Sequence, residues 1–458
     1  MCGILGWFGP NKYPIDKNRF QSALTVLRHR GPDDEGVYQD AHTLLGHVRL
    51  SVIDVAGGHQ PWIDPDSGAV LVYNGELYNY LEERSILKKK GHRFRSQTDT
   101  EVLMKMYLEY GQPMLTRMNG MFAFALYDPR RKHLFCARDP LGIKPFYFVQ
   151  DDQGFTFASE IKALVALGKQ FIAEPKAIAD YLALQYVMGE KTFFKNVFRL
   201  LPGSYLELDE RNSLKKGTYW EIAPDESFSG TFEEAATQLR CHMKNSVQLQ
   251  LRSDVPLGAH LSGGIDSATI SYFAAKKIQP KKLHTFTAGF TEGGIYDDTE
   301  YARKSAEFLG TLHHVVYPTE QDFAELFPKL CWHLDEPMAA EGVFPQYIVS
   351  RLARNHVTVA LGGQGADEIL GGYARYYIFL LDQAIRNSNK NIGLTYDELN
   401  QSIGQLEQYQ YLRSKLSGNT GSDPAELYWK LIDRSENVRP LLSEEFNREL
   451  EGYSPFDT

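Results

Sequence analysis

Cys2, directly after the initiator methionine, is the first residue of this chain that could do covalent chemistry. Its side chain is small enough for the methionine to be removed, which would leave a thiol and a free α-amine on one residue. The amine can take the thiol proton, directly or through a water, so the nucleophile carries its own base and needs no distant histidine. Asn74-Gly75-Glu76 follows Val70-Leu71-Val72-Tyr73, which reads as a strand. A side-chain amide and a glycine N–H at a strand end can form an oxyanion hole. Arg49 and Asp99 offer opposite charges, as an amino-acid substrate requires for its α-carboxylate and its α-ammonium. Each has a plainer reading: Asp99 as the cap of a helix over residues 101–110, Arg49 as a surface arginine, and Cys2 as chance.

A second constellation lies beyond the midpoint. Leu261-Ser262-Gly263-Gly264-Ile265-Asp266-Ser267 sits between an apolar strand and a helix expected to begin near Ala268. Two glycines let backbone approach a phosphate closely, and the helix N-terminus and serine hydroxyls point donors at the anion. The lysine of a GxxxxGK[ST] loop is missing, so this is a different phosphate motif. Leu361-Gly362-Gly363-Gln364-Gly365-Ala366-Asp367 is a second glycine-rich turn after a buried strand. Two such turns at the carboxyl ends of neighbouring parallel strands would close a cleft of the kind where these sheets bind ligands. Asp266 and Asp367 are suited to hold Mg²⁺ on pyrophosphate, or to cap helices.

The elements that must position these groups divide the 458 residues into two parts. Short strands dominate as far as about Gly203, with residues 122–127 and 134–137 flanking the turn at residues 128–132. Phe20, Ala23, Leu24 and Leu27 share a helical face, as do Val102, Leu103 and Met106. This pattern predicts an α+β layered domain. From Thr231 strands alternate with helices: a strand over 283–290, a helix over 299–309 ending at Gly310, then strands over 313–316 and 357–361. That alternation predicts an α/β doubly wound parallel sheet. The expected bounds are 2–205 for the first domain, 206–230 for a linker and 231–458 for the second. Apolar residues at 43%, charged residues at 23% and a net charge of −9 fit a globular protein with no nucleic-acid footprint. No apolar run reaches membrane-spanning length, and no secretory signal is read. Cys2, Cys136, Cys241 and Cys331 lie far apart, with neither a CxxC pair nor a disulfide framework. The expectation is a cytoplasmic enzyme with reduced thiols and no membrane or nucleic-acid partner; a homodimer is left open.

The first 200 residues resemble the class II glutamine amidotransferases, the group with an N-terminal nucleophile. Cys2-Gly3-Ile4, His29-Arg30-Gly31-Pro32-Asp33, Arg49-Leu50-Ser51-Val52-Ile53-Asp54, Asn74-Gly75-Glu76-Leu77-Tyr78-Asn79, Thr98-Asp99-Thr100-Glu101 and residues 138–145 occur in that family's order and spacing. The resemblance implies an αββα sandwich, Cys2 as nucleophile and Asn74 with Gly75 as oxyanion donors. It implies glutamine held by Arg49, Leu50, Ser51, Val52, Ile53, Asn74, Gly75, Glu76 and Asp99. Arg30 and Arg138 would shape the site mouth and the core. The SGGxDS form is similar to the fingerprint of the ATP pyrophosphatases, which cleave ATP between the α and β phosphates.

Together the halves resemble glutamine-hydrolysing asparagine synthetase. That resemblance implies aspartate activated as an acyl-adenylate, with AMP and pyrophosphate as products, and ammonia delivered through an internal tunnel. It places ATP on Leu261, Ser262, Gly263, Gly264, Asp266, Ser267, Ala288, Gly362 and Gly363, and the acyl-adenylate beside Gln364. Departures touch the acceptor. Gln364 replaces a usual glutamate and can hydrogen-bond but carries no charge; Gly362 and Ala366 replace serines; residues 335–344 differ from forms associated with aspartate. The Gln-Gly-Ala-Asp-Glu form is similar to a subgroup with sugar- and peptide-modifying members. A Ser-x-Glu-x-Arg-x-Pro block with a preceding basic residue is expected beyond residue 458, so the second domain reads as C-terminally incomplete and poor at making product, with Arg375 the nearest substitute cation. The alternatives are an amidotransferase of the same mechanism acting on another carboxylate, a glutaminase with an inactive synthetase half, an enzyme of phosphoribosyl or sugar substrates, and a nucleotide-binding scaffold.

Overall fold

The computed structural model describes residues 1–10, 17–223, 227–291, 297–338, 342–373, 376 and 432–455. Its first half contains strands β1 (Gly3–Phe8), β2 (Asp34–Gln39), β3 (Thr43–Arg49), β4 (Trp62–Ile63), β5 (Val70–Leu77), β6 (Gly120–Asp128), β7 (His133–Arg138), β8 (Tyr147–Asp151), β9 (Gly154–Ala158), β10 (Phe198–Arg199), β11 (Ser204–Leu208) and β12 (Leu214–Thr218). They form two six-stranded sheets, in the orders β10-β8-β9-β1-β3-β2 and β12-β11-β7-β6-β5-β4. Helices α1 (Lys17–Val26), α2 (Tyr80–Lys89), α3 (Asp99–Tyr110), α4 (Ile161–Ala166) and α5 (Pro175–Leu184) complete it.

The two-residue period of a strand sorts its side chains between layers. Ile4 and Phe8 of β1 join Val70 and Val72 of β5 in the core between the sheets. Leu5 and Trp7 point the other way, onto Phe20, Ala23 and Leu24 of α1 and Leu164 of α4. Leu71 and Tyr73 likewise face Val102, Leu103 and Met106 of α3. Each sheet is thus buried on both faces, which is the four-layer αββα sandwich that the N-terminal-nucleophile resemblance implied.

The segment expected as a linker from residue 206 begins instead inside this sandwich. β11 pairs with β7, and β12 pairs with β11. Leu206 and Leu208 are fully buried between the sheets. Lys215-Lys216-Gly217 is tolerated in β12 because that is the edge strand, where long cationic side chains reach solvent.

The second half follows from α6 (Phe232–Gln250), whose start is fixed by a capping box of Thr231 and Glu234. Strands β13 (Leu257–His260), β14 (His284–Ala288), β15 (Leu312–Val316) and β16 (Val359–Leu361) form a parallel sheet in the order β15-β14-β13-β16. α7 (Ile265–Ile278) and α8 (Thr299–Leu309) pack with α6 on one face. α9 (Glu320–Leu334) and α10 (Val343–Arg354) lie on the other, where Val349 and Ala353 cover Phe286. The chain runs outward from β13 to β15 and then returns to the opposite side of β13 as β16. The β13–β16 boundary is therefore the switch point of a doubly wound sheet. A short helix, α11 (Ala366–Leu370), follows β16. Among the described residues no helix is long and apolar enough to cross a membrane.

Candidate active site

β1 places Cys2 at the head of its strand, where the thiol donates to the Leu50 carbonyl at 3.7 Å. A cavity of 340 Å³ opens beside it, lined by Met1, Cys2, Leu50, Val52, Asn74, Gly75, Glu76, Tyr78 and Lys144 from the first half. Asn74 and Gly75 do not follow a strand end, as expected from the sequence. They lie within β5, which continues to Leu77 because β6 pairs with it as far as Gly120. Asn74 is fully buried, and neither its amide nitrogen nor its oxygen has a protein partner. A buried amide left unpaired costs about 1–3 kcal/mol and so points to a ligand.

Asp99 is not the cap of its helix. Thr98 caps α3, its side chain accepting from the Thr100 N–H, and Asp99 occupies the first helical position. Its buried carboxylate turns inward, where Oδ2 accepts the Leu77 N–H at 2.9 Å and the Tyr73 hydroxyl at 3.1 Å. Burial, and then repulsion from Asp99, pushes the Glu76 carboxyl up to about 8. Burial also raises Asp99. The two carboxylates, Asp99 buried and Glu76 half-buried, repel one another, and a cation between them would relieve that repulsion.

Arg49 does not line the Cys2 cavity. Its guanidinium donates to the carbonyls of Ile53, Asp54 and Val55 at 2.8–3.0 Å, and so fixes the loop that carries Leu50 and Val52. Ser51 faces the neighbouring cavity with Arg49, and Ile53 is buried. Arg138 holds the Gly142, Lys144 and Leu200 carbonyls, so it is structural. Lys144, to which sequence reasoning gave no role, is buried in the cavity wall. Burial lowers its ammonium to about 8, aided by Arg30 and opposed by Glu76 and Cys2. No local signal marked it, since the flanking Leu141 and Ile143 are themselves exposed. Burial raises the Cys2 thiol, and burial lowers the Met1 α-amine to about 5.

The second constellation surrounds a separate cavity of 380 Å³ at the switch point. Leu261, Ser262, Gly264, Asp266, Ser267, Thr287, Ala288, Gly363, Gln364 and Asp367 line it. α7 begins at Ile265 rather than near Ala268, with Gly264 at its N-cap and no side chain satisfying its first N–H groups. Gly263 has φ +87°, a conformation that glycine adopts freely. Ser262 and Ser267 hydroxyls lie 3.0 Å apart, which tightens the loop. Burial, and then Asp367, raises the Asp266 carboxyl. The two acids therefore share a pocket that a divalent cation would fit. Gln364 folds back over Gly362, where a Cβ would lie 2.0 Å from its Oε1. Glycine in place of the usual serine is what admits this side chain. Among the described residues lining the cavity there is no lysine or arginine; Gln346 and His260 are lining groups that sequence reasoning missed. Arg375, and Ala339, Ala340 and Glu341 within the 335–344 segment, lie outside the described residues.

The halves meet tightly. Arg252 forks onto Glu82 at 2.5 and 2.6 Å and donates to the Tyr78 carbonyl at 2.6 Å. The Asp54 N–H donates to Asp254, and the Asp254 N–H to the Val52 carbonyl. Asp335 and Glu336, in the segment read for acceptor selection, instead contact the first half. Asp335 pairs with Lys162, and Glu336 with Arg199 and the Phe193 N–H. Gln250, Arg252, Ser253, Leu257 and residues 358–362 form the far wall of the Cys2 cavity. Leu361 and Gly362 border that cavity, and the next two residues, Gly363 and Gln364, border the switch-point cavity.

A glutamine amidotransferase domain model matches residues 1–220, and an asparagine synthase model matches residues 238–455. An asparagine synthetase [glutamine-hydrolyzing] 3 from Bacillus subtilis is 32% identical, covering 96% of this chain and 77% of its own length. The chain belongs to the glutamine-hydrolysing asparagine synthetase family. Its relatives include asparagine synthetase [glutamine-hydrolyzing] 1 of Bacillus subtilis, 37% identical over 82% of this chain. They also include amidase chry2 of Gibberella zeae, 30% identical over 81% of this chain. The chain spans 59% of the length of each of these last two family members.

Proposed function

We propose that this chain hydrolyses glutamine at Cys2 and uses the ammonia, with ATP, to amidate a carboxylate, of which aspartate is the first candidate. The observation that carries this reading is the shared wall at β16: one backbone turn borders both the thiol cavity and the switch-point cavity. Gly362 stands on the wall of the Cys2 cavity contributed by the second half, so ammonia released beside Cys2 starts next to the turn that borders the switch-point cavity.

With Met1 removed, the α-amine moves to Cys2 and takes the thiol proton. The thiolate attacks the side-chain amide carbon of glutamine, and the oxyanion that forms is received by the Asn74 amide and the Gly75 N–H. Glu76 and Asp99 hold the α-ammonium. The departing ammonia takes the proton back, and water cleaves the thioester to release glutamate. Arg49 acts by fixing the loop that carries Leu50 and Val52. In the second half the Ser262–Ser267 loop and the start of α7 receive the pyrophosphate portion of ATP. Asp266 and Asp367 would hold Mg²⁺, which when bound neutralises phosphate charge. The carboxylate attacks the α-phosphorus, pyrophosphate leaves, and ammonia displaces AMP from the acyl-adenylate.

The test is glutamine-dependent pyrophosphate release from ATP, with aspartate compared against a panel of other carboxylates. Aspartate alone supporting release would establish the asparagine synthetase reading; release with aspartate absent and another acid present would replace the acceptor. Gln364 folded over Gly362 favours including sugar and peptide carboxylates, because a neutral amide there presents hydrogen bonds rather than charge.

The carboxylate pair also gives a pH dependence. Below about 8 the Glu76 carboxyl holds a proton. Binding the α-ammonium favours the ionised form, so glutamine expels that proton, and KM falls as pH rises toward 8. Asp99→Asn removes a charge-assisted contact of about 1.5–3 kcal/mol, raising KM roughly 10- to 150-fold. It also removes Glu76's repulsive neighbour, so the break in log KM moves to lower pH. An unchanged KM and an unmoved break would confine Asp99 to bracing β5 and Tyr73.

A further inference from the structure

His29-Arg30 takes no part in the chemistry above, yet Arg30 touches the nucleophile. Its Nε donates to the Cys2 carbonyl at 2.9 Å, and its Nη1 reaches Glu160 Oε1 at 2.7 Å. His29 Nε2 lies 3.0 Å from the same oxygen. Glu160's second oxygen takes Lys162 at 2.6 Å, and Lys162 reaches Asp335 Oδ1 at 2.8 Å. Asp335 Oδ2 accepts the Ile161 N–H at 2.6 Å. The side chains of Arg30, Glu160, Lys162 and Asp335 are 8, 7, 10 and 8% exposed. Their charges alternate along the row, so each buried ion has an opposite neighbour.

Asp335 belongs to the second half, where it closes α9. Its φ of +61° is unfavourable for a non-glycine residue and is sustained where surrounding contacts over-determine it, as its two carboxylate partners do here. The last turn of α9 seats beside it: Lys162 lies over the Trp332 ring at 4.8 Å, and His29 meets that ring edge-on at 5.3 Å. The row therefore begins in the second half and ends on the backbone of the nucleophile. Burial alone would raise the Glu160 carboxyl, but His29, Arg30 and Lys162 overcome it and hold the group at about 2, so the row stays charged at neutral pH.

We infer that Lys162 is a positioning residue of the glutamine site, fixing the Cys2 backbone through Glu160 and Arg30 and making that fixation depend, through Asp335, on docking of the second half. This rests on the glutaminase reading of Cys2. Without Lys162, the freed Glu160 oxygen competes for the Arg30 fork and draws it from the Cys2 carbonyl. Asp335 loses its cation, and the α9 turn loses its seat. A nucleophile displaced by about 1 Å costs roughly 100-fold in rate. Glu76 and Asp99 stand on β5 and α3, outside the row, so substrate affinity is spared.

The test measures glutaminase kcat and KM, with melting temperature, for the full chain and three variants. Lys162→Met is expected to lower kcat about 10- to 100-fold with KM for glutamine unchanged, and Lys162→Arg to restore most of it. Asp335→Asn, which keeps an acceptor for the Ile161 N–H but loses the ion pair, is expected to lower kcat in the same way from the other half of the chain. It decides the matter if Lys162→Met does not fold. Wild-type kcat in folded Lys162→Met or Asp335→Asn would overturn the inference, as would a loss seen only in KM. A wild-type chain that releases no glutamate would instead overturn the reading of Cys2, which is a different result.

Discussion

Cys2→Ala is expected to abolish glutamate release from glutamine while leaving ammonia-dependent amide synthesis unchanged. The thiol lines the cavity that also holds the unpaired Asn74 amide. Removing a nucleophile, rather than weakening a contact, costs on the order of 10⁴-fold or more. Synthesis from ammonia is spared because the switch-point cavity is lined by residues of the second half alone. Alanine keeps the Cys2 carbonyl that accepts from Arg30 and leaves the β1 ladder, which starts at Gly3, untouched; it loses only the thiol contact to the Leu50 carbonyl. The melting temperature should therefore stay near that of the wild type. The measurement is glutamate formation beside amide formation, with glutamine or ammonium as nitrogen source. Glutamate released at the wild-type rate would remove Cys2 from the mechanism.

Asp266→Ala is expected to stop ATP cleavage and leave glutamine hydrolysis intact. Asp266 stands in the first turn of α7, and Asp367 enters the same cavity from the first turn of α11. A triphosphate brought to this pocket adds negative charge to two carboxylates that already repel each other, so a divalent cation is needed between them. No lysine or arginine is present among the described lining residues to take over that charge. Losing one of the two ligands should cost about 10²–10³-fold in AMP formation. It should not destabilise the fold, because alanine relieves the repulsion from Asp367. Titrating Mg²⁺ by calorimetry in the presence of a non-hydrolysable ATP analogue gives a readout independent of turnover. Wild-type AMP formation in Asp266→Ala would return the residue to a helix-start role.

Local sequence indicated the family and most element types. The helical spacing of Phe20, Ala23 and Leu24 is a property of a few consecutive residues and, with the short strands, predicted an α+β layered domain; the αββα sandwich was implied by the family resemblance. Gly310 stopped α8 where expected because its positive φ suits that residue. The Ser262–Ser267 loop was legible as a strand-to-helix turn because its two glycines and serines stand at fixed spacing, and it does line the switch-point cavity. What sequence could not decide depended on partners distant in the chain. Asn74 lies inside β5 because β6, some 45 residues later, extends the ladder past it. Residues 204–218 joined a sheet because β7 offered them an edge. Asp99 turned inward because Tyr73 and the Leu77 N–H were there to receive it, leaving Thr98 to cap α3. Arg49 went to its own loop, and Asp335 and Glu336 went to the first half rather than to an acceptor. In each case the residue type was consistent with either role, and long-range pairing chose between them, because a buried charge goes where its counter-charge or donor is already fixed.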